Sequence, residues 1–474
     1  MLRSAGALGL GLAFGGWPGA AAGRVRRAPG SLPFPELPEG TDTLAQIEHI
    51  IILMMENHSY DNYLGTLDRG NGFNRHHFAP RAANPDGEGH LIHAFHIPTT
   101  CPQEGPGQSW NSSHTAFGHG RNDGFVLASG PIAMGYWTAD DLPFYHGLAD
   151  TFPLATRWFC STLCQTYPNR RFLMAGTAAG IIDTSAASLQ APPPPNGNIF
   201  ERLDMFDIPW RNYYTDLPSS AILLAYAMAN QDKLLHINQF YLDAAAGALP
   251  AVSLVDPGYV TGQSEEGGDI QVGEQFVAQV INAVMSGPGW GKTVLVWLYD
   301  EHGGYYDHVP PPRAIKPDDI PPMLGPDNLP GGYDRYGFRV PAVVVSPYAR
   351  ANFVSHTTRD HTAILKFIER KWNLGALTFR DANADDLSDC LDFGNPPAFF
   401  APPPLPSPAL AANPPPCVPD APGTIPPADA ISPGPKTAPG HARAFVRSPE
   451  RQVRMGEPLA EVWAKALASR RDPT

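Results

Sequence analysis

Four short, almost continuous apolar runs constrain the fold of this chain more than any other feature. They lie at residues 50–55, 251–255, 293–298 and 340–345. Runs of this kind predict strands that are buried on both faces, as in a parallel sheet. Between and after them, apolar residues recur at helical spacing over 273–285 and 362–374. This alternation predicts an α/β domain with a mostly parallel central sheet and helices on both faces.

Two of the predicted strands end in acidic pairs. Glu56 and Asn57 follow the first run, and Asp300 and Glu301 follow the run at 293–298. Open parallel sheets bind ligands beyond the carboxyl ends of their strands, so the two pairs are predicted to face one site. Taken separately, each pair has a structural reading, as a helix cap or a solvated turn. Taken together, three carboxylates and an amide predict a site for one divalent cation, with magnesium, manganese or calcium favoured over zinc by ligand hardness.

Two further segments carry groups that suit phosphate chemistry. Thr166 precedes Pro168, Asn169 and Arg170, and could supply a hydroxyl nucleophile. The pattern alone favours a simpler interpretation, a turn leading into a helix, because proline fits the first helical turn. Histidines near a phosphoryl group can bind the anion or protonate a leaving alkoxide. Of these, His308 lies seven residues after Glu301, beyond a Gly-Gly turn.

Composition bounds the class of protein. The chain has 474 residues, of which 43% are hydrophobic and 17% charged, as expected for a globular protein with a large core. Its formal net charge of -13 argues against bulk nucleic-acid binding, which needs a basic face. The five cysteines show no zinc-finger or C-x-x-C spacing, and their odd number leaves at least one thiol unpaired.

The chain divides into four predicted segments. Arg3, a short apolar stretch and a run of alanines predict a secretory signal over residues 1–22, and hence a secreted or periplasmic protein. The apolar stretch is too short to span a bilayer. The main α/β domain is predicted over 45–395, a proline-rich extended segment over 396–440, and a tail with a short helix near 458–469 over 441–474.

Several motifs in a fixed order resemble one known family. They read MENHSYDNYLG at 55–65, TYPNR at 166–170 and YDEHGGYYDHVPP at 299–311, followed by segments at 340–348 and 360–369. The chain resembles the bacterial phosphoesterase family, which includes phosphatidylcholine-cleaving phospholipases C and a related acid phosphatase; plant non-specific phospholipases C are similar. Separated motifs in the right order are more specific than any one of them.

The resemblance implies an alkaline-phosphatase-like fold, a divalent metal ion (calcium, magnesium, manganese or zinc) and a phospho-enzyme mechanism. It implies a phosphoester substrate, such as a phospholipid at a membrane surface. Glu56, Asn57, Asp300 and Glu301 match the family's metal ligands, and Thr166 matches its nucleophile, against the interpretation from pattern alone. The other residues that match the family's phosphate or leaving-group site are Asn169, His114, His308, His356 and His361, the last beside Asp360.

The chain departs from the family pattern at two places. Many relatives have His-Ser-Trp where this chain has Gln108-Ser109-Trp110, and Glu-His-Pro near the stretch that reads EEGG at 265–268. Losing imidazoles there could change headgroup preference or leaving-group protonation. Two alternatives therefore stay open: a broad phosphomonoesterase of the acid phosphatase type, and an exported metal-binding protein that has lost catalysis.

Overall fold

The computed structural model describes residues 26–73, 82–101, 105–265, 268–410, 425–436 and 454–471. The predicted signal at 1–22 lies outside the described residues. The strands are β1 His49–Met55, β2 Ala83–Pro85, β3 His90–His93, β4 Phe95–His96, β5 Gly135–Tyr136, β6 Leu154–Ala155, β7 Trp210–Tyr214, β8 Leu234–His236, β9 Val252–Asp256, β10 Thr293–Tyr299, β11 Ala342–Val345, β12 Val354–Ser355 and β13 Ile431–Pro433. The α-helices are α1 Tyr60–Leu64, α2 Trp110–Phe117, α3 Phe125–Ser129, α4 Pro143–Thr151, α5 Thr166–Ala175, α6 Ile199–Asp204, α7 Leu224–Ala229, α8 Ile237–Ala246, α9 Ile270–Ser286, α10 Thr362–Trp372, α11 Phe379–Ala382 and α12 Gly456–Arg471.

Eight strands form the central sheet, in the order β12-β6-β11-β10-β1-β9-β7-β8. The pairs β10–β1, β1–β9, β9–β7 and β7–β8 are all parallel. Every residue of β1, β9 and β10 is buried. Because successive side chains of a strand point to opposite faces, complete burial means that both faces of the sheet are covered. The predicted α/β architecture with a mostly parallel sheet is confirmed.

The prediction that the run at 340–345 is a parallel strand is wrong. Strand β11 occupies only Ala342–Val345 and pairs with both β10 and β6 in antiparallel orientation. The reason lies in the connection at 300–341, which contains turns and extended chain but no α-helix. A parallel strand needs a crossover that carries the chain back to the other edge of the sheet. This connection stays at the carboxyl edge of β10, so β11 starts there and runs in the opposite direction.

The predicted helices at 273–285 and 362–374 are present as α9 and α10. In the tail, α12 covers the stretch where a short helix is predicted, and its Met455 end accepts a hydrogen bond from the Tyr167 hydroxyl at 3.0 Å. Within the proline-rich segment, β13 adds an edge strand to the small β13-β3-β2 sheet. Across the part of the chain that the structure describes, no helix has both the length and the apolar character needed to cross a membrane.

Among the described residues, three cysteines carry free thiols in the interior. They are Cys160, Cys164 and Cys390, all buried. Cys101 is disulfide-bonded. The buried thiols behave as small apolar side chains.

Candidate active site

The two acidic pairs lie side by side because strands β1 and β10 are paired in register. Their backbone pairing runs from His49 opposite Thr293 to Met55 opposite Tyr299. The next residue on each strand is an acid, so Glu56 and Asp300 leave the sheet at the same level. Both acids, with Asn57 and Glu301, are buried. The register of β1 and β10 therefore brings the two acidic pairs together at one edge of the sheet, as predicted.

Asn57 adopts a left-handed backbone conformation that lets it face the second strand. Its φ is 68°, a region that asparagine tolerates better than most residues. Its backbone N–H donates to Asp300 Oδ1 at 3.1 Å. Gly303 packs directly onto it, since a Cβ on that glycine would lie 1.8 Å from the Asn57 carbonyl oxygen. The Gly-Gly turn after Glu301 is thus required for the two strand ends to close on each other.

Thr166 is brought to this edge as the first residue of helix α5. Its hydroxyl donates to Asn57 Oδ1 at 3.3 Å, and its side chain is buried. Pro168 fits the first helical turn, as the pattern alone predicts. The helical interpretation and the proposed nucleophile are therefore compatible. The amino end of α5 carries a partial positive charge, which favours an anionic group next to Thr166.

Arg170 links helix α5 to the acidic pairs. It lies four residues after Thr166 on α5, so both side chains share one face of the helix. Its Nε donates to Asp300 Oδ2 at 3.1 Å and its Nη1 to the Tyr259 hydroxyl at 2.8 Å. Burial acts to lower the pKa of the guanidinium, but Tyr259 and Asp300 outweigh it and raise the pKa above its usual value. Sequence reasoning gave Arg170 no role, although its helical spacing from Thr166 was a usable signal.

A fourth buried acid lies at the end of the neighbouring strand. Asp256 closes β9, on the other side of β1, and its Oδ1 lies 3.9 Å from Arg170 Nη1. It accepts hydrogen bonds from Tyr259, Asn212 and the Ser219 backbone at 2.6–2.8 Å. Burial raises the pKa of Asp256 above its usual value. Asp256 is not among the residues predicted from the sequence, although its place directly after the apolar run at 251–255 was a usable signal.

The chemistry of this site fits a divalent cation, although the side chains do not already surround one point. Three buried carboxylates, those of Glu56, Asp300 and Glu301, lie at this edge of the sheet, and Asp300 contacts the Arg170 guanidinium. Buried negative charge in excess needs compensation by a bound cation or by protons. Among the described residues, no group of three or more His, Cys, Asp or Glu side chains is arranged to hold a metal ion. A cation here would therefore also draw on the neutral oxygens of Asn57 and Thr166.

His361 lies next to the acidic pairs but has both ring nitrogens engaged. Its Nε2 donates to the Asp300 carbonyl at 2.7 Å, and its Nδ1 accepts from the Trp158 indole at 3.3 Å. An indole N–H can only donate, so the ring is the neutral Nε2–H tautomer. Burial lowers its pKa, which agrees with a neutral ring. In this structure His361 supports the backbone of Asp300.

His308 and His356 belong to a neighbouring network centred on Arg339. His308 Nδ1 lies 2.6 Å from Asp61 Oδ2, and Arg339 contacts the other oxygen of Asp61 at 3.1 Å. His356 is exposed, and its Nδ1 lies 2.9 Å from the Thr156 hydroxyl. Arg339 Nη1 donates to the Thr156 carbonyl at 3.0 Å, which ties the two histidines to one guanidinium.

The two remaining predicted residues make local contacts. His114 Nδ1 lies 2.8 Å from the Trp110 carbonyl, and burial lowers the pKa of this histidine to about 4. Asn169 ties together the loop before α5: its amide donates to the Cys164 carbonyl at 2.8 Å, and its Oδ1 accepts from the Thr162 N–H at 3.0 Å. These contacts place Asn169 beneath the turn that presents Thr166.

Glu265, in the stretch that departs from the family pattern, forms a closed cage with three tyrosines. It accepts hydrogen bonds from the hydroxyls of Tyr63, Tyr145 and Tyr299 at 2.7, 2.5 and 2.6 Å. His58 Nε2 is 3.9 Å away. Burial raises the pKa of Glu265 to about 8, against the effect of the three hydroxyl donors. Since Tyr299 directly precedes Asp300, the cage anchors the end of β10 from the side opposite Arg170's contact.

The sequence profile of the Phosphoesterase family matches residues 47–375, which include all the acidic ligand candidates and Thr166. The chain belongs to the phosphoesterase family. Phospholipase C B of Mycobacterium tuberculosis is 32% identical to it over 444 residues, covering 80% of this chain and 84% of that protein. Phospholipase C A of the same organism is 31% identical over 441 residues, covering 80% and 83%. This phosphoesterase is therefore a phosphoric ester hydrolase.

Among solved structures, one match is described as a protein in the alkaline phosphatase superfamily from Vibrio parahaemolyticus. The alignment covers 62% of this phosphoesterase and 72% of the Vibrio chain. The TM-score is 0.34 and the sequence identity is 9%.

Proposed function

We propose that this phosphoesterase is a phospholipase C-type phosphodiesterase that acts through a phosphothreonine on Thr166. One observation carries the proposal: the Thr166 hydroxyl lies at the amino end of α5, in hydrogen-bond contact with Asn57 between the two acidic strand ends. The names of the two mycobacterial relatives support the phospholipid class of substrate.

The proposed reaction has two displacements at phosphorus. Thr166 Oγ1, its proton given up to solvent, attacks phosphorus in line, and the bond from phosphorus to the diacylglycerol oxygen breaks. A histidine of the Arg339 network protonates that oxygen as it leaves. Water then attacks phosphorus, and the same histidine takes the water's proton. The bond to Thr166 breaks, Thr166 Oγ1 regains a proton from solvent, and the phosphorylated headgroup is released. The partial charge at the amino end of α5 and the fixed position of Thr166 lower both barriers.

The proposal includes one divalent cation held by Glu56, Asn57, Asp300 and Glu301. When bound, it would lower the pKa of the Thr166 hydroxyl and offset the negative charge of the phosphate. The excess of buried carboxylates and the hard oxygen donors support this assignment. Arg170 and the Asn57 and Glu301 backbone N–H groups fix the position of the Asp300 carboxylate.

The decisive experiment compares Thr166→Ala with Thr166→Ser. The alanine variant has no nucleophile, so turnover should fall by about 10⁴-fold or more, whereas the serine variant should keep measurable activity. Mass spectrometry after rapid acid quench should find a phosphoryl adduct on the peptide that carries residue 166 in the wild type. A folded alanine variant with normal turnover would contradict the proposal.

The substrate class is tested in the same preparation. Release of phosphocholine from phosphatidylcholine micelles is compared with release of phosphate from a soluble aryl phosphate. Faster cleavage of the lipid supports the phospholipase C assignment. Faster cleavage of the monoester would identify a broad phosphatase instead, and absence of both activities with every divalent cation would indicate a protein that has lost catalysis.

We also propose that the protein is exported, on the strength of the signal predicted at 1–22. The disulfide at Cys101 supports this, because such bonds persist in oxidising compartments. Fractionation of cells that express the full chain, beside a version lacking residues 2–22, tests it. Retention of both versions in the cytoplasm would contradict export.

A further inference from the structure

We propose that Asp61 is a positioning residue that orients His308 as the acid for the leaving alcohol, so that the two form a carboxylate–imidazole dyad. The inference deepens the proposed function and rests on it. Asp61 Oδ2 lies 2.6 Å from His308 Nδ1 and also accepts the His308 backbone N–H at 2.7 Å. Two bonds to one oxygen fix both the backbone and the ring of His308.

The fold brings the dyad together from three parts of the carboxyl edge. Asp61 lies on α1, four residues after Asn57, and His308 lies seven residues after Glu301. Arg339 stands just before the antiparallel strand β11, which starts at this edge. The Ser59 hydroxyl donates to the Tyr306 carbonyl at 2.7 Å and joins the loop that carries His308 to the loop that carries Asn57. The dyad is thus attached to the same two loops that present the acidic pairs.

The contacts decide which ring nitrogen carries the proton in the neutral ring. Arg339 Nη2 lies 3.3 Å from His308 Nδ1, whereas the Asp61 carboxylate lies 2.6 Å from it. An ionised carboxylate can only accept, so the shorter contact places a hydrogen on Nδ1. Asp61 is buried and the His308 side chain is 17% exposed. Nε2, on the opposite side of the ring, is therefore the atom that can donate to a leaving oxygen.

The charges around His308 favour its protonated form. Asp61 and Asp307 carry two negative charges, and Arg339, which bonds to both, carries one positive charge. With His308 as an imidazolium, the set of four side chains has no net charge. With His308 neutral, the set has a net charge of one negative unit. The other titratable groups next to this set are the phenols of Tyr60 and Tyr306 and the Arg157 guanidinium.

The directions of the pKa shifts agree with this charge balance. Burial alone would lower the pKa of His308, but Asp61 outweighs burial and raises the pKa above its usual value. Burial would raise the pKa of Asp61, but His308 and Arg339 outweigh it and lower the pKa. The pair therefore holds an ionised carboxylate beside an imidazolium, as an acid catalyst requires.

The experiment uses two soluble phosphodiesters that differ only in the leaving group. A 4-nitrophenyl group leaves as a stable anion without protonation, whereas a simple alkyl alcohol needs a proton. Asp61→Asn should lower kcat/KM for the alkyl ester by about 10²-fold and for the nitrophenyl ester by less than about tenfold. In addition, the high-pH limb of the alkyl profile should move to lower pH, because a histidine without its carboxylate loses its proton earlier.

Asp307→Asn is the matched control. It removes a charge of the same sign and an Arg339 partner, but no hydrogen bond to the His308 ring. Asp307 lies near His308 but makes no bond to its ring, so Asp307→Asn should change the ratio of the alkyl rate to the nitrophenyl rate much less than Asp61→Asn does. An equal change of that ratio in the two variants would contradict a role for the hydrogen bond from His308 to Asp61. An Asp61→Asn variant that affects both esters equally, or neither, would overturn the dyad.

Nuclear magnetic resonance of histidine-labelled protein tests the dyad without turnover. In the wild type, His308 should keep its proton on Nδ1 above its titration, and its pKa should fall by about one unit or more in Asp61→Asn. An Nε2–H tautomer in the wild type would refute the proposal even if the variant does not fold. If the wild type cleaves neither ester, the proposed function fails, and these spectra alone decide whether the dyad exists.

Discussion

Asp300 and Glu265 are both fully buried acids that hold the end of strand β10, yet their partners differ in charge. Asp300 receives a guanidinium from Arg170 and two backbone N–H groups. Glu265 receives three tyrosine hydroxyls and has a pKa raised to about 8. A guanidinium offsets the charge of a carboxylate, whereas a phenol supplies a hydrogen bond without charge. Asp300 is therefore the acid suited to the proposed cation site, whereas Glu265 is suited to fixing the neighbouring strands and loops.

Neutralising each acid in turn tests whether Asp300 and Glu265 have different roles. Asp300→Asn removes a proposed metal ligand and leaves Arg170 buried without its nearest carboxylate. We expect phosphodiesterase activity to fall by about 10³-fold or more and the free energy of unfolding by about 3–5 kcal/mol. Steady-state kinetics and denaturant titration measure both quantities.

Glu265→Gln is the control for that experiment, because it removes a buried carboxylate that contacts no proposed ligand. It should keep most of the activity. Equal losses of activity in the two variants would mean that Glu265 also takes part in the chemistry, and that the two acids do not differ in role.

Gly303→Ala tests whether the turn after Glu301 holds the two strand ends together. The added Cβ would meet the Asn57 carbonyl oxygen at 1.8 Å, so Asn57 or the turn must move. Displacements of this size near a reacting centre cost about 10²-fold in rate, and we expect that loss in kcat. Gly30→Ala is matched to it, since Gly30 also has a positive φ but nothing within 4 Å of its Cβ position. Similar kinetics for the two variants would indicate that the close approach is not needed.

The raised pKa of Glu265 predicts how stability changes with pH. The carboxyl keeps its proton in the folded protein up to about pH 8 and loses it near pH 4.5 in the unfolded chain. The folded state therefore binds more protons than the unfolded state between these two pH values. The contribution of Glu265 to the free energy of unfolding is complete below pH 4.5 and is lost as the pH rises through 8. Relative to Glu265→Gln, the wild type should lose a few kcal/mol between pH 5 and pH 8. If the free energies of unfolding of the wild type and Glu265→Gln change equally between pH 5 and pH 8, Glu265 is not protonated in the folded protein.

Removing the proposed cation should produce the smallest effect on stability. A cation that binds only the folded protein stabilises it by about 3 kcal/mol at a hundred times its dissociation constant. Chelation should lower the Tm of the wild type by a few degrees and leave the Tm of Asp300→Asn almost unchanged. Thermal scans with and without each divalent cation measure this, and an equal response of the two proteins would place the cation elsewhere.

The sequence predicted the strands β1, β9 and β10 and the meeting of Glu56 with Asp300, because burial on both faces and the turn chemistry are local properties. It did not predict the direction of β11, which depends on where the long connection from Asp300 leads. Asp61, Arg170 and Arg339 are long-range partners: their roles become visible only when a carboxylate, a hydroxyl or an imidazole from a distant segment is placed beside them. Thr166 needed the resemblance to a family, since a threonine before a helix is common.

The return of β11 to the sheet has a consequence for how this enzyme can diversify. The connection at 300–341 leaves β10 and enters β11 at the same edge, and its two ends are joined to neighbouring strands. Changes of length in its outer part can therefore be absorbed without shifting the strand register. Selection can therefore change the exposed part of this connection, at residues such as Met323 and Leu324, while the strand ends that carry the acidic pairs stay constant.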